Sequence, residues 1–358
     1  MKKIKVLIVD DSAFIRKIVE DILKKEDSIE VVAKVKNGKE ALDYIYKNDV
    51  DVVTLDVEMP VKNGIETLQE LMQTKPTPVV MISSLTKEGA DLTIKALDLG
   101  AVDFITKPSN IFKISQDEVG KDIINKVKIA SRVRISKTGS IKPHKRIESS
   151  IKKSLKENRI SRDLGGSFDT IVSIGTSTGG PRALQEVIPN LKFDIKAPIL
   201  VVQHMPPGFT KSLAERLDSL SQINVKEAEE GDILQKGFAY IAPGDRHLTL
   251  RKEGSKIKIH LDNGENVTGH KPSVDKMFYS LSELNKYRRI SVIMTGMGSD
   301  GAKGMELLKK QDNVYTIAED ESTCIVFGMP KSAINLNAVD KVLPVQKIAH
   351  EINKLMEV

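Results

Sequence analysis

Gly175-Thr-Ser177-Thr-Gly179 fits the G-x-S-x-G pattern, in which a sharp turn between a strand and a helix lifts a serine hydroxyl above the end of a parallel sheet. Ile171, Val172 and Ile174 read as the buried strand, and Pro181 through Val187 as a helix with proline in its first turn. Such a turn exposes Ser177. The N–H groups opening that helix are unpaired and carry partial positive charge, which suits an oxyanion. A Gly-rich turn of this kind also binds phosphate, and many are packing turns; G-x-G-x-x-G and G-x-x-x-x-G-K-[ST] are absent, so the dinucleotide and P-loop versions lose ground.

A serine hydroxyl is a poor nucleophile at neutral pH unless a base removes its proton, most often a histidine backed by a carboxylate. Six histidines compete. His144 lies in a basic, low-complexity stretch and His350 in a C-terminal helix. His247, His260 and His270 lie on or near a hairpin, where half-exposed surface positions are expected. His204 ends the strand Ile199–Val202, the next after that of Ser177, so neighbouring parallel strands would bring both to one rim. Asp232, Asp245, Asp262 and Asp275 fall in loops or helix starts, whereas Asp300 lies in a third strand-end turn, Thr295-Gly-Met-Gly-Ser-Asp300-Gly301. The trio is Ser177, His204 and Asp300, although strands ending in polar turns also cap helices.

A separate set of polar residues ends the strands of the N-terminal third: Asp10 and Asp11 the first, Asp56 the third, Ser83 the fourth and Lys107 the fifth. Three carboxylates in one crevice repel one another unless a cation is present. Mg²⁺ fits, since it takes one or two carboxylates and keeps waters and phosphate oxygens. An Asp there can attack phosphorus, with Lys107 helping to balance charge. Asp10 or Asp11 alone could be a helix N-cap; five such residues at strand ends are hard to explain so.

These residues need sheets to position them. From Lys5 to Lys107 strands and amphipathic helices alternate through five units, which predicts an open parallel sheet with helices on both faces and ligands beyond the carboxyl ends of the strands. Alternation resumes after Asp169, with a β-hairpin over His247–Leu261. The fold class is therefore α/β, two doubly wound domains with mainly parallel sheets. At 358 residues two domains are expected. They are placed at 1–124 and 169–358, with a linker at 125–168 whose first part can prolong the last helix of the first domain.

Charge supports that division. Residues 125–168 hold 13 Lys and Arg against 3 Asp and Glu, so this stretch carries +10 and the rest of the chain −4, for +6 in all. The basic balance reads as a solvated linker, and nucleic-acid binding becomes a minor hypothesis. The single cysteine, Cys324, excludes an internal disulfide and lies in an apolar run where a buried thiol is expected. No run of ~18 apolar residues and no signal-peptide cleavage region is present, so the expectation is a cytoplasmic protein without membrane insertion.

Val9-Asp10-Asp11-Ser12, Leu55-Asp56-Val-Glu-Met59-Pro60, Ser83-Ser84 and Phe104-Ile-Thr-Lys107-Pro108 resemble a response-regulator receiver domain, flavodoxin-like in fold. The resemblance implies Asp56 as phosphoacceptor. It also implies Mg²⁺ on Asp11, Asp56 and the Glu58 carbonyl with Asp10 in support, Ser83 and Phe104 as switch residues, and a cis Lys107–Pro108 bond. Ser173-Ile-Gly175-Thr-Ser177-Thr-Gly-Gly180, Gln203-His204-Met-Pro-Pro-Gly-Phe209, His270-Lys-Pro-Ser-Val-Asp275, the Thr295–Gly301 turn and Phe327-Gly-Met-Pro330 resemble the Rossmann-like catalytic domain of chemotaxis protein-glutamate methylesterases. The family's triad maps onto Ser177, His204 and Asp300. Thr176 stands where the family often has Ala, a small-for-small change.

That resemblance implies a two-domain chemotaxis response regulator. Its substrates are glutamyl methyl esters and glutamines on methyl-accepting chemoreceptors, its phosphodonor is a histidine kinase, and no cofactor serves the esterase. The backbone N–H groups of Thr178 and Met297 are expected to hold the oxyanion. In the resembled family the unphosphorylated receiver blocks receptor access. The alternatives are a receiver coupled to a non-catalytic output, or a serine hydrolase acting on small metabolites.

Overall fold

Alternating apolar strands and amphipathic helices form two compact units, 1–145 and 146–358, in the computed structural model, which describes residues 3–107, 117–133, 167–267 and 269–357. The first unit holds strands β1 (Ile4–Val9), β2 (Ile29–Val35), β3 (Val52–Asp56), β4 (Val79–Ser83) and β5 (Asp103–Thr106). They pair in parallel in the order β2-β1-β3-β4-β5, the flavodoxin-like order. Apolar runs such as Val6–Val9 and Val79–Ile82 are buried along their length, as a sheet covered on both faces requires.

Among the described residues the unit also holds helices α1 (Ala13–Leu23), α2 (Gly38–Lys47), α3 (Gly64–Thr74), α4 (Lys87–Asp98) and α5 (Asp117–Ala130). Packing of α1 with α5, and of α2, α3 and α4 in succession, gives the two helix sets of a doubly wound sheet. The side chains of Ser12, Asn37, Asn63 and Thr86 cap α1 to α4, and Asn63 with Glu66 forms a capping box. Asp10 and Asp11 are thus not N-caps. Helix α5 continues six residues past 124, the expected end of the first domain. The linker stretch 134–166, His144 and the Lys107–Pro108 bond lie outside the described residues.

The second unit holds β6 (Thr170–Thr176), β7 (Ile199–Gln203), β8 (Asn224–Glu227), β9 (Phe238–Ile241), the hairpin β10 (His247–Glu253) with β11 (Lys256–Asp262), β12 (Arg288–Ile293), β13 (Val314–Glu319) and β14 (Lys341–Leu343). Seven strands pair in parallel in the order β14-β13-β12-β6-β7-β9-β8. From β6 the chain winds one way to β8 and β9, then crosses to β12 and winds the other way, so the sheet has its switch point beside β6.

Its helices are α6 (Gly180–Val187), α7 (Phe209–Leu220), α8 (Val274–Ser282), α9 (Ala302–Lys309), α10 (Met329–Asn335) and α11 (Val345–Leu355). Val274, Met277, Phe278 and Leu281 of α8 bury against Leu248, Leu250, Ile257 and Ile259 of the hairpin and against Met305 and Leu308 of α9. Each such side chain contributes about 1.5–3 kcal/mol by burial, so α8 is pinned across the carboxyl end of β6. Among the described residues no helix is long and apolar enough to cross a membrane.

Candidate active site

The turn after β6 has no spare room. A Cβ on Gly175 would lie 2.3 Å from Val274 Cγ1, and Gly179 has φ +80° with Ile325 2.7 Å from where its Cβ would be. The Ser177 N–H donates to the Thr295 carbonyl at 3.0 Å, and its own carbonyl accepts from Gly180 N at 2.8 Å and Gln203 Nε2 at 3.0 Å. Ser177 is only 9 % exposed, less open than the sequence suggests. The turn after β12 crowds it: a Cβ on Gly296 would approach Ser177 Cβ to 2.8 Å.

His204 follows β7, next to β6 in the sheet, and its N–H donates to the Thr176 carbonyl. Its Nε2 lies 2.8 Å from Asp300 Oδ2, while Nδ1 is buried without a hydrogen-bond partner among the described residues, the Ser177 hydroxyl included. Asp300 is 1 % exposed. Burial pushes its carboxyl up, but His204, the Val274 N–H at 2.7 Å and the Ser273 hydroxyl at 2.8 Å outweigh burial and hold it down at about 2. The Val274 N–H opens α8 and Ser273 caps it, so the helix dipole favours the same charge. The structure therefore brings His204 and Asp300 into contact beside Ser177, on turns after three adjacent strands.

The residues supporting this cluster were given no role in it from the sequence. Gln203, 2 % exposed, accepts from the Thr176 hydroxyl at 2.7 Å and donates to the Ser177 and His204 carbonyls, tying the ends of β6 and β7 together. His247 is buried, not half-exposed as expected, because the first half of β10 lies under α8. Its Nδ1 accepts the Ser273 N–H at 3.1 Å and its Nε2 donates to the Glu265 carbonyl, so it fixes the serine that holds Asp300; burial pushes its imidazole down. His270 stacks on His204, and Asp275 donates its N–H to Asp300 at 3.2 Å. The signal for Ser273 was present: serine before an amphipathic run is an N-cap pattern.

The N–H groups of Thr178 and Met297 take no partner among the described residues, and Thr178 is 8 % exposed against 43 % for Met297. Of the other candidates, His260 pairs with Glu230 at 3.0 Å, Asp262 with Lys276 and Asp232 with Lys226. Burial pushes the Cys324 thiol far above its usual value, which suits no nucleophile.

At the carboxyl ends of β1 and β3, carboxylate oxygens of Asp10, Asp11 and Asp56 lie within 4.8 Å of one another. Burial, opposed by the Lys107 ammonium at 2.7 Å, pushes the Asp56 carboxyl up to about 6. Burial likewise raises Asp10, whose Oδ2 lacks a hydrogen-bond partner among the described residues and lies 3.7 Å from Lys107. An orphaned buried carboxylate oxygen among hard oxygen donors fits a divalent cation. The exposed Glu58 follows, its N–H 3.4 Å from Asp56 Oδ1. The Ser83 hydroxyl donates to the Gly89 carbonyl at 3.0 Å, and Phe104 is buried with the Lys126 ammonium 5.4 Å from its ring centroid.

Comparison with known proteins matches a CheB methylesterase family model to residues 172–352 and a response regulator receiver domain model to residues 6–117. A protein-glutamate methylesterase/protein-glutamine glutaminase of Geobacillus kaustophilus is 48% identical over 99% of this chain and 99% of its own. One of the same name from Bacillus subtilis is 44% identical over 99% of each. The crystal structure of the Thermotoga maritima CheB methylesterase catalytic domain matches at 50% identity and a TM-score of 0.51, over 53% of this chain and 100% of that one.

Proposed function

Because this chain belongs to the CheB methylesterase family and carries a response regulator receiver domain, and is thereby a protein-glutamate methylesterase and protein-glutamine glutaminase, we propose that it works by a Ser-His-Asp mechanism on chemoreceptor side chains. One observation carries the reading: His204, on the turn next to that of Ser177, gives Nε2 to Asp300 and has a buried Nδ1 with no hydrogen-bond partner among the described residues.

The Ser177 hydroxyl attacks the γ-carbonyl carbon of a glutamyl methyl ester, and its proton passes to His204 Nδ1. Asp300, held ionised by its donors, orients the ring and stabilises the imidazolium. The N–H groups of Thr178 and Met297 face the developing oxyanion. Collapse expels methoxide, which takes the proton from His204 and leaves as methanol. A water then attacks the acyl-serine, again giving its proton to His204; collapse releases glutamate, and the departing Ser177 oxygen takes that proton back from His204. A glutamine side chain follows the same path and releases ammonia.

In the receiver, Asp56 is the proposed phosphoacceptor, with a histidine kinase as donor and a cytoplasmic location. Asp10, Asp11, Asp56 and the Glu58 carbonyl would hold Mg²⁺, which when bound neutralises charge on the phosphoryl oxygens. Lys107 pairs with Asp56 and supplies a second positive charge. A phosphoryl group on Asp56 would compete with Gly89 for the Ser83 hydroxyl and so disturb the packing around Phe104. The test is methanol release from methylated chemoreceptor membranes; its absence with correctly folded protein would overturn the reading.

A further inference from the structure

Glu319 ends β13, beside β12 but outside the three strands that lead to Ser177, His204 and Asp300. Its side chain is fully buried, and burial pushes its carboxyl up. An unpaired buried carboxylate is costly, so its hydrogen bonds show what holds it there. Oε2 accepts the Thr295 N–H at 2.8 Å, and Oε1 accepts the Thr323 hydroxyl at 2.9 Å.

Thr295 is the junction of the catalytic turns. Its carbonyl accepts the Ser177 N–H at 3.0 Å. Its hydroxyl donates to the Thr178 carbonyl at 2.9 Å and accepts the Val326 N–H at 3.0 Å. Met297 follows two residues later. A shift of the Thr295 peptide would therefore move the nucleophile's turn and both proposed oxyanion donors together.

We infer that Glu319 is a positioning residue for the hydrolytic reaction: by accepting the Thr295 N–H it fixes the geometry of the Thr178 and Met297 N–H groups around the oxyanion. The inference rests on the hydrolytic reading above. What matters is where the acceptor oxygen lies, because donors aimed in advance at developing charge lose their effect when misplaced.

The experiment compares full-length Glu319→Asp, Glu319→Gln and Ser177→Ala with the parent, measuring kcat and KM for methanol release per folded molecule. Glu319→Asp keeps the charge but withdraws the acceptor by one methylene; kcat should fall about 10²-fold with KM little changed, the scale of a ~1 Å misplacement. Glu319→Gln loses the charge but keeps an acceptor oxygen in place, and should hold kcat within about 10-fold of the parent, the smaller loss expected of a neutral acceptor in place of a charged one. A parental kcat in Glu319→Asp, or a greater loss in Glu319→Gln than in Glu319→Asp, overturns the inference while an inactive Ser177→Ala leaves the hydrolytic reading standing. An active Ser177→Ala overturns that reading and this inference with it.

Discussion

The imidazole rings of His204 and His270 lie face to face, centroids 4.0 Å apart and planes 12° from parallel. The stack covers one face of a ring whose edge is held by Asp300, so it opposes rotation of the ring away from Ser177. It also places a π-face against His204 when that ring takes up a proton. Aromatic pairs of this kind contribute about 0.5–1.5 kcal/mol, so His270→Ala should lower kcat roughly 2–10-fold. His270→Phe, which keeps a flat face, should stay near the parent. Steady-state methanol release decides it: equal losses in both variants would mean that stacking is not what His270 supplies.

Ser177→Ala removes one hydroxyl from a turn whose backbone bonds all remain. Thermal stability should be little changed, while turnover falls by on the order of 10⁶-fold, as for other triad serines. Circular dichroism paired with methanol release would show both, and retained turnover would contradict the proposed nucleophile.

Asp56→Asn keeps the side-chain shape and removes the attacking oxygen and one of three clustered charges. A small phosphodonor with Mg²⁺ should phosphorylate the parent and raise its methanol release, and do neither in the variant. Mg²⁺ alone should raise the melting temperature of the parent more than that of Asp56→Asn. Phosphate trapped on Asp10 or Asp11 in the parent would point to another acceptor.

Asp275 is 2 % exposed and accepts the Gly304 N–H at 2.7 Å, giving α9 a cap from outside its own sequence, since the residue before that helix is glycine. Burial, opposed by that N–H and reinforced by the Asp300 charge, pushes its carboxyl from 3.8 up to about 6. The folded state keeps this proton where the unfolded chain has released it, so stability from this residue falls as pH rises from about 4 to about 6. Asp275→Asn preserves the acceptor and removes the titration. Its free energy of unfolding should match the parent near pH 4 and exceed it above pH 6, by about 3 kcal/mol. Parallel curves across that range would refute the assignment. Asp300, held at about 2, acts in the opposite sense, and its contribution is lost only as pH falls from about 4 towards 2.

Ser177, His204 and Asp300 were legible in the sequence because each follows an apolar strand, and parallel pairing delivers strand ends to one rim. The same rule found Asp10, Asp56 and Lys107. Side chains whose partners depend on packing were not legible. Nothing local separates His247 from a surface strand histidine; its burial comes from α8, which crosses the hairpin some thirty residues later. Gln203 reads as the polar end of a strand, yet its amide spans two turns. The run of α5 past 124 to Ala130, by contrast, was legible, because the first part of the basic stretch still carries helical periodicity.

Strand β6 pairs with β12, and roughly 110 residues of chain separate Thr176 from Arg288, the first β12 residue in that pairing. During synthesis β6 can gain β7 on one side early, but its other edge stays unsatisfied until β12 emerges. At about 5–20 residues per second that interval is about 5–20 s. Throughout it a nascent chain presents an apolar strand with free N–H and C=O groups, the template on which unwanted strand pairing starts. The serine turn is therefore made early and completed late, and the yield of active enzyme should be most sensitive to chaperone supply while the stretch between β7 and β12 is being translated.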